Sequence, residues 1–395
     1  MSRFIVLLLS LLLLVSCAPK KRTIIVGESV VVSGTAQYEK ASINNLTYSF
    51  PIFPEMGVIP FARYDVIDTV TREVIADGTT KRDGTFEVII DDDYLGVPLK
   101  IRVFALSDPQ DALIDVRVTN HDAQGNDIYF QDGPTFIPQI DGSENLEVTA
   151  KFTGTRLAGA FNIYRQMVRG VLFVKDRVEQ NLDDFPPLRV HWAVGQVGKG
   201  CTCFISGFFK PHVINIPHTD NPGDFDDVVL LHELGHYMQR SFFRDTTPGG
   251  PHFISCNVAQ NLHPSLAFSE GWANAFQAIV RGEGIYVDAN ESRRGFSFNI
   301  ESPCATHKGG QDEVAVAAAF YDAFDGTLNG VPSLDGETLQ INLQQIWDAM
   351  KDLELINGRT TITSFYEALL RQGSVTRNQW DQAMTPIGLE QNMLP

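Results

Sequence analysis

A His-Glu-Leu-Gly-His stretch has the residue types and the spacing of a metal-dependent hydrolytic site. His232 and His236 are four residues apart, and Glu233 stands between them. Residues four apart share one face of an α-helix, so both imidazoles would point the same way. Two neutral imidazoles can bind zinc, and the adjacent carboxylate can deprotonate a water molecule that the metal activates. The spacing predicts zinc ligands at His232 and His236 and a general base at Glu233. The alternative is two ordinary helix histidines.

The residues around this HExxH motif favour a helix. Leu231, Leu234 and Met238 recur at helical spacing and would pack inward. Acidic residues that can cap the helix, and that suit the positive end of its dipole, precede the motif. They are Asp224, Asp226 and Asp227.

A catalytic zinc ion needs a third protein ligand and an open position for water. The best candidate is Glu270, in the sequence Ser-Glu-Gly-Trp-Ala, on a helix predicted for Ser265–Val280. Two histidines and a glutamate are a known catalytic zinc set. His252 and His263 are rival ligands, and Glu270 alone could be a plain acid near a helix start. Asn274, one turn beyond Glu270, can orient a ligand imidazole.

From Asp224 to Ala278 the chain resembles the gluzincin metallopeptidases, the thermolysin-like clan. Their second helix carries a glutamate in contexts similar to Ser-Glu-Gly-Trp-Ala, although the segment between the two helices is longer here. The resemblance implies a zinc peptidase that acts on peptides or proteins, with Glu233 as general base and then proton donor. It further implies that a strand at His212–Ile216 lines the cleft and aligns extended substrate by β-addition.

Gluzincin-like sites usually add a tyrosine or histidine donor from beyond the third ligand, because the metal alone does not neutralise the developing oxyanion. We assign this role to Tyr321, on a helix predicted for Asp312–Phe324, in preference to His307. Tyr286 is placed in a turn. The alternative for Tyr321 is a core aromatic at helical spacing.

A second functional class is a surface-tethered binding protein with a catalytically inert peptidase fold. An intact HExxH motif argues against it, because a binding module has no need of Glu233. A purely structural zinc ion conflicts with a three-ligand set that leaves a position for water.

The chain start has the shape of a bacterial secretory signal. Residues 1–16 place one arginine before an apolar run too short to cross a bilayer comfortably. The end, Leu14-Val15-Ser16-Cys17, resembles a lipobox, which implies cleavage before Cys17 and its diacylation. Residues 17–27 would be a tether, and Ala18 after the cysteine implies the outer membrane. The alternative is a plain signal peptide cut nearby.

Composition indicates a folded, acidic protein outside the cytoplasm. The hydrophobic fraction of 44% suffices for large cores, and the net charge of −17 argues against binding to nucleic acid or anionic lipid. Besides Cys17, the cysteines are an even set, which suggests disulfides. A bond between Cys201 and Cys203 would be strained. We therefore expect them to pair with Cys256 and Cys304, in either order; a cysteine-rich metal site is the runner-up.

The first half, residues 28–152, is predicted to be an all-β sandwich, because apolar and polar residues alternate in several short segments. Examples are Leu99–Val103, Ile114–Val118 and Leu146–Phe152. The segments Phe61–Asp68, Val74–Thr79 and Arg82–Val88, a strand, a turn containing Asp83-Gly84 before Phe86, and a second strand, resemble the transthyretin-like, carboxypeptidase-regulatory type of sandwich over Val30–Val103. The resemblance implies an accessory role. The segment Asn120–Pro138 is polar and rich in turn-forming residues, which predicts a long loop.

The second half, residues 155–395, is predicted to be an α+β, mainly helical, zincin-like metallopeptidase domain. An amphipathic helix is expected at Ala158–Glu179, followed by strands at Leu188–Val194 and His212–Ile216. Two or three amphipathic segments are predicted in the tail, around Trp347, Tyr366 and Trp380.

Overall fold

The structure of the protein is a computed structural model that places side chains. It describes residues 29–41, 55–107, 115–120, 127–139, 144–152, 156–179, 185–193, 203–205, 212–216, 223–289, 295–325, 339–353 and 358–390. The predicted signal peptide, the tether with Cys17, and Cys201 lie outside these residues.

Strands predominate before residue 150, and helices predominate after residue 155. The strands are β1 (Val30–Lys40), β2 (Glu55–Val58), β3 (Ala62–Asp68), β4 (Val74–Thr79), β5 (Thr85–Ile90), β6 (Leu99–Ser107), β7 (Val116–Asn120), β8 (Phe130–Phe136), β9 (Glu144–Ala150), β10 (Leu188–Trp192), β11 (Cys203–Ile205), β12 (His212–Ile216), β13 (Ile285–Ala289) and β14 (Gly295–Asn299). The helices are α1 (Leu157–Lys175), α2 (Asp227–Phe242), α3 (Pro264–Arg281), α4 (Glu313–Asp325), α5 (Leu343–Asp352), α6 (Ile362–Arg371) and α7 (Arg377–Met384). Within the described part of the chain, no helix combines the length and the apolar character needed to cross a bilayer.

The strand-rich N-terminal region is confirmed. In its first sheet, β1 pairs antiparallel with β2 and β5 and parallel with β9. A second sheet contains β3, β4, β6, β7 and β8. Tyr64 of β3 packs against Phe86 of β5, with ring centroids 5.3 Å apart, so side chains of the two sheets share a core. The relation of this region to the transthyretin-like family stays a prediction.

The loop predicted for Asn120–Pro138 is wrong at its C-terminal end, where β8 pairs antiparallel with β6. Its polar residues are accommodated by charged partners on the neighbouring strand. Asp132 lies 2.6 Å from Lys100 Nζ and 2.6 Å from Arg102 Nε. The Arg102 guanidinium also lies over the Phe130 ring. Strands were predicted from the alternation of apolar and polar residues, and a polar strand such as β8 lacks that alternation.

One sheet continues from the N-terminal region into the C-terminal half. β7 pairs in parallel with β10, which pairs in parallel with β12. The strand order along the main path is β11-β12-β10-β7-β6-β3-β4. The sheet therefore crosses the boundary that the sequence predicts between residues 152 and 155.

β12 confirms the predicted strand at His212–Ile216, but the sheet order contradicts the role given to it. β10 pairs along one side of this strand, and β11 pairs along the other. Since both sides are occupied, β12 cannot accept an extended substrate. Among the described residues, β11 is the terminal strand at this edge.

α1 joins the strand region to the HExxH helix α2. Tyr164 on α1 donates hydrogen bonds to the carbonyl oxygens of Pro60 and Phe61, at 3.1 and 2.8 Å. Asn162 accepts a hydrogen bond from the Tyr38 hydroxyl and donates one to the Asp224 carbonyl just before α2. These buried bonds fix the start of α2 relative to β1.

The disulfide prediction is wrong: Cys256 is bonded to Cys304, with Cα atoms 5.4 Å apart. The segment before α3 and the segment before α4 lie together, because the Thr306 hydroxyl donates to the Cys256 carbonyl and Leu262 N–H donates to the Gln311 carbonyl. Sequence spacing does not reveal this proximity. Cys203 is also disulfide-bonded, so its partner lies outside the described residues.

α2 and α3 cross closely at Gly235. A Cβ atom on Gly235 would lie 2.9 Å from the Ala273 Cα, which is backbone and cannot rotate away. Trp272 Nε1 donates a 3.0 Å hydrogen bond to the Gly235 carbonyl across the same crossing. The helices can approach this far only because position 235 has no side chain.

We predict that Gly235→Ala destabilises the metal-free protein by about 1–2 kcal/mol, because overpacking costs more than the helix propensity that alanine restores. Thermal unfolding followed by circular dichroism measures this. Gly358→Ala is the control, since, apart from its chain neighbours, no atom of the described residues lies within 4 Å of a Cβ at that position. Equal melting temperatures for the two variants would contradict the close crossing.

Candidate metal site

The HExxH motif lies on α2, as predicted. The Asp226 side chain caps the helix by accepting a hydrogen bond from Val229 N–H at 3.2 Å. His232 and Glu233 are buried, with 8% and 6% of their surfaces exposed. A buried polar helix face of this kind needs partners on the neighbouring elements.

α3 supplies the main partner. Glu270 Oε2 lies 3.4 Å from His232 Nε2 and 3.2 Å from His236 Nε2, and the two Nε2 atoms are 3.2 Å apart. The structure thus brings together the three residues predicted as ligands, with their donor atoms within 4.8 Å of one another. This donor set of two imidazoles and one carboxylate has the composition of a catalytic zinc site.

The other ring nitrogen of each motif histidine is held by a polar side chain. His232 Nδ1 lies 2.9 Å from Asn274 Oδ1, the contact that the sequence predicts. His236 Nδ1 lies 3.4 Å from the Ser269 hydroxyl, which donates its own proton to Gln239. These acceptors place the ring proton on Nδ1 and leave the Nε2 lone pairs facing Glu270, as metal ligation requires.

His252 approaches the same carboxylate from the segment between α2 and α3. Its Nε2 lies 3.7 Å from Glu270 Oε2, and its Nδ1 lies 3.0 Å from the carboxylate of buried Glu313 on α4. Gln260 anchors Glu313 by donating to Oε1 at 2.6 Å. Hydrogen bonding to Glu313 raises the pKa of His252 to about 9, with Glu270 adding to the effect. His252, Glu270 and Glu313 form a second potential metal-binding group.

The two site carboxylates have opposite electrostatic environments. Burial raises the pKa of Glu233 to about 7, although the charge of His232 opposes the shift. The Phe204 backbone N–H of β11 donates a hydrogen bond to this carboxylate. Burial acts in the same direction on Glu270, but His236 and His232 outweigh it and hold its pKa well below the usual range. Glu270 is thus the fixed anion and Glu233 the group that can exchange a proton near neutral pH.

Two cavities meet at the motif. One, of about 440 Å³, extends along β11 and the segment 245–252; the other, of about 360 Å³, extends towards the β13–β14 hairpin. His232, Glu233 and His252 line both. Glu233 therefore has open space on either side, as an extended chain passing the site needs.

The candidate oxyanion donors lie in different places. Tyr286 lies on β13, not in a turn, and lines the second cavity; its ring packs edge-on to His232, with centroids 6.2 Å apart. Tyr321 is buried on α4 near Gly284, and neither of the two cavities is lined by it. His307 is buried with its Nδ1 at 2.9 Å from Asp312.

The rival ligand His263 is a helix cap, since its Nδ1 accepts a hydrogen bond from Ser265 N–H at the start of α3. The cysteine-rich alternative fails for Cys256 and Cys304, because their sulfur atoms are bonded to each other.

Sequence reasoning missed the placement of Tyr286 and the His252–Glu313 contact. A signal for the former was present: apolar residues follow Gly282 and Gly284, and two phenylalanines alternate at 296 and 298. These segments pair as a hairpin in which Tyr286 stacks on Phe298, with ring centroids 4.8 Å apart. No sequence pattern links His252 with Glu313.

Residues 178–367, just under half of the chain, match the family described as Mycolysin C-terminal domain. The match indicates that this half is similar to a thermolysin-like peptidase family and supports a metallopeptidase. No curated protein matches. Among solved structures, a crystal structure of a 9R-lipoxygenase from Cyanothece is 10% identical, with a TM-score of 0.18. That match covers 38% of this chain and 24% of the other, and at this score it carries no argument.

We predict that the protein binds about one equivalent of zinc, that Glu270→Ala lowers this, and that His252→Ala does not. In the His232, His236 and Glu270 group, the imidazole lone pairs are already directed at one carboxylate. His252 instead forms an ion pair with Glu313. Elemental analysis after dialysis against zinc measures the stoichiometry. Full zinc in Glu270→Ala would show that this residue is not a ligand. Two equivalents in the wild type, with one in His252→Ala, would assign metal to both groups.

Proposed function

We propose that this protein is a zinc-dependent peptidase that hydrolyses peptide bonds with water activated at the His232, His236 and Glu270 site. The observation that carries the proposal is the convergence of these three side chains beside Glu233, at the junction of two cavities. The similarity of residues 178–367 to a thermolysin-like peptidase family supports it. Zinc bound there would act as a Lewis acid on the substrate carbonyl and on water.

Glu233 is the general base in this proposal. Its carboxylate is buried, open to both cavities, and has a pKa of about 7. A base with a pKa close to the working pH can accept a proton from water and then return it to the leaving amine. The Phe204 backbone acts on Glu233 in the opposite direction to burial and favours its charged form.

Substrate alignment is assigned to β11, since β12 has no free side. Cys203 and Phe204 of β11 line the larger cavity together with Glu233 and Glu270. An extended peptide that pairs with a terminal strand gains main-chain hydrogen bonds independent of its sequence. In this arrangement the scissile bond would lie between β11 and α3.

Two further side chains face the reacting groups. To Tyr286, which lines the second cavity together with His232 and Glu233, we assign donation of a hydrogen bond to the carbonyl oxygen of the substrate as negative charge develops there. His252, held by Glu313, borders both cavities and can contact the peptide on either side of the bond that breaks. The segment that carries His252 is tied to the loop before α4 by the Cys256–Cys304 disulfide.

The protein is further proposed to be anchored to the cell envelope, at the outer membrane or cell surface, through diacylated Cys17. The lipobox-like sequence Leu14–Cys17 supports this. Mass spectrometry of the N-terminal peptide would reveal the lipid, and an unmodified Cys17 would leave a plain secreted protein.

We predict that Glu233→Gln removes nearly all hydrolysis, by a factor of a hundred or more, while zinc content and melting temperature stay close to wild type. The amide has the shape of the carboxylate but cannot accept the proton. The assay is cleavage of a peptide library by zinc-loaded protein, with and without chelator.

Wild-type rates in Glu233→Gln would rule out this mechanism. Absence of cleavage by the zinc-loaded wild type, across the library and a set of unfolded proteins, would favour the alternative of an inert peptidase fold that binds a partner.

The sequence-based choice of Tyr321 and the structural position of Tyr286 lead to opposite expectations. We predict that Tyr286→Phe lowers kcat roughly a hundredfold with KM and zinc content little changed, as loss of one oxyanion donor does. Tyr321→Phe is the matched control and should retain its kcat. A loss of kcat in Tyr321→Phe alone would restore the role to that residue.

A further inference from the structure

A third cavity, of about 240 Å³, lies between α1 and the N-terminal strands and shares no lining residue with the two cavities at Glu233. Its apolar walls come from β2, from the turn after it, from α1 and from the end of α3. These residues are Val58, Pro60, Leu172, Phe173 and Val280. Its charged residues are Arg82, Arg165, Arg169, Arg177 and Asp176.

This concentration of arginine is unexpected in a chain with a net charge of −17. Two of the arginines have local partners: Arg82 Nη2 lies 2.9 Å from Asp176, and the Arg177 guanidinium lies 3.9 Å from the centre of the Phe173 ring. The aspartate is thus already occupied by Arg82. Among the described residues, Asp176 forms no ion pair with the other two arginines, Arg165 and Arg169.

Arg165 and Arg169 lie one turn apart on α1, and both line the cavity. Both side chains are half-buried. Arg169 donates only to neutral oxygens, the Val280 carbonyl at 3.2 Å and the Gln166 amide at 3.5 Å. Within the described residues, no carboxylate forms an ion pair with either arginine, and no hydrogen-bond acceptor contacts Arg165.

The two guanidinium groups repel each other. Burial lowers the pKa of Arg169, and the charge of Arg165 lowers it further. The charges of Asp227 and Glu283 act in the opposite direction on this pKa, while Arg281 lowers it further. Like charges held side by side at half-buried positions reduce stability unless an anion lies between them. Residues that reduce stability in this way are typical of binding sites.

We propose that this cavity binds an organic anion with a carboxylate head and a short apolar body. The head would lie against Arg165 and Arg169, because a planar guanidinium group matches a carboxylate in bidentate geometry. The body would contact Leu172, Phe173 and Val280, which have no role for a bare inorganic ion. The site does not depend on the proposed peptidase activity.

The test uses octanoate as probe and the purified protein without added metal. Isothermal titration calorimetry should show binding of octanoate that weakens roughly tenfold in Arg165→Gln, because one charge-assisted hydrogen-bonding group is lost. The same substitution should raise the melting temperature of the ligand-free protein, since it removes the repulsion at Arg169. Arg371→Gln, on the exposed surface of α6, is the matched control and should change neither quantity.

Three probes separate the parts of the proposal. Inorganic phosphate should bind much more weakly than octanoate, and octyltrimethylammonium, which has the tail with the opposite charge, should not bind. Equal affinity for phosphate and octanoate would overturn the requirement for an apolar body. Octanoate binding that is absent, or equal in Arg165→Gln and Arg371→Gln, would overturn the site itself.

Discussion

The close crossing of α2 and α3 is the constraint on which the candidate site depends. Gly235 lies inside the HExxH motif, and its missing side chain allows the backbone of α3 to approach at Ala273. The Trp272 indole then bonds to the Gly235 carbonyl, on the turn next to Glu270. Gly235, one of the three residues between the two histidines, thereby also sets how near α3 and its Glu270 can come. One position therefore belongs both to the metal-binding motif and to the contact between the two helices.

This geometry concentrates negative charge where water is scarce. Glu233, Glu270 and Glu313 are all largely buried, and a buried carboxylate is costly without a compensating partner. The compensation is local: His232 and His236 act on Glu270, His252 acts on Glu313, and Glu233 responds with a raised pKa. The site is therefore an arrangement that stability alone would not favour. Such arrangements are typical of positions kept for chemistry.

The sequence predicted most of the helical half because its helices carry strong signals. Apolar residues recur at helical spacing in α1, α2 and α3, and Asp226 caps α2 as the preceding acidic residues suggested. Glu270 was found because a catalytic metal set needs a third ligand. The unpredicted features depend on contacts between distant segments: the Cys256–Cys304 pairing, and Glu313 beside His252. Strand β8 was missed because its polar residues are matched by Arg102 and Lys100 on another strand, which a linear pattern does not show.

The parallel pairing of β7 with β10 has a consequence for how the chain acquires its structure. β10 is synthesised after α1, yet one of its two neighbours belongs to the region made before that helix. The C-terminal half consequently completes its sheet by pairing β10 with β7, which must already be in place. Without β7, β10 would present unpaired backbone groups to other chains. Synthesis from the N-terminus produces the segments in the required order: the strand-rich region comes first, and the helices that carry the histidines and Glu270 follow. The strand-rich region is thus in the position of an intramolecular folding scaffold, covalently retained in the finished molecule.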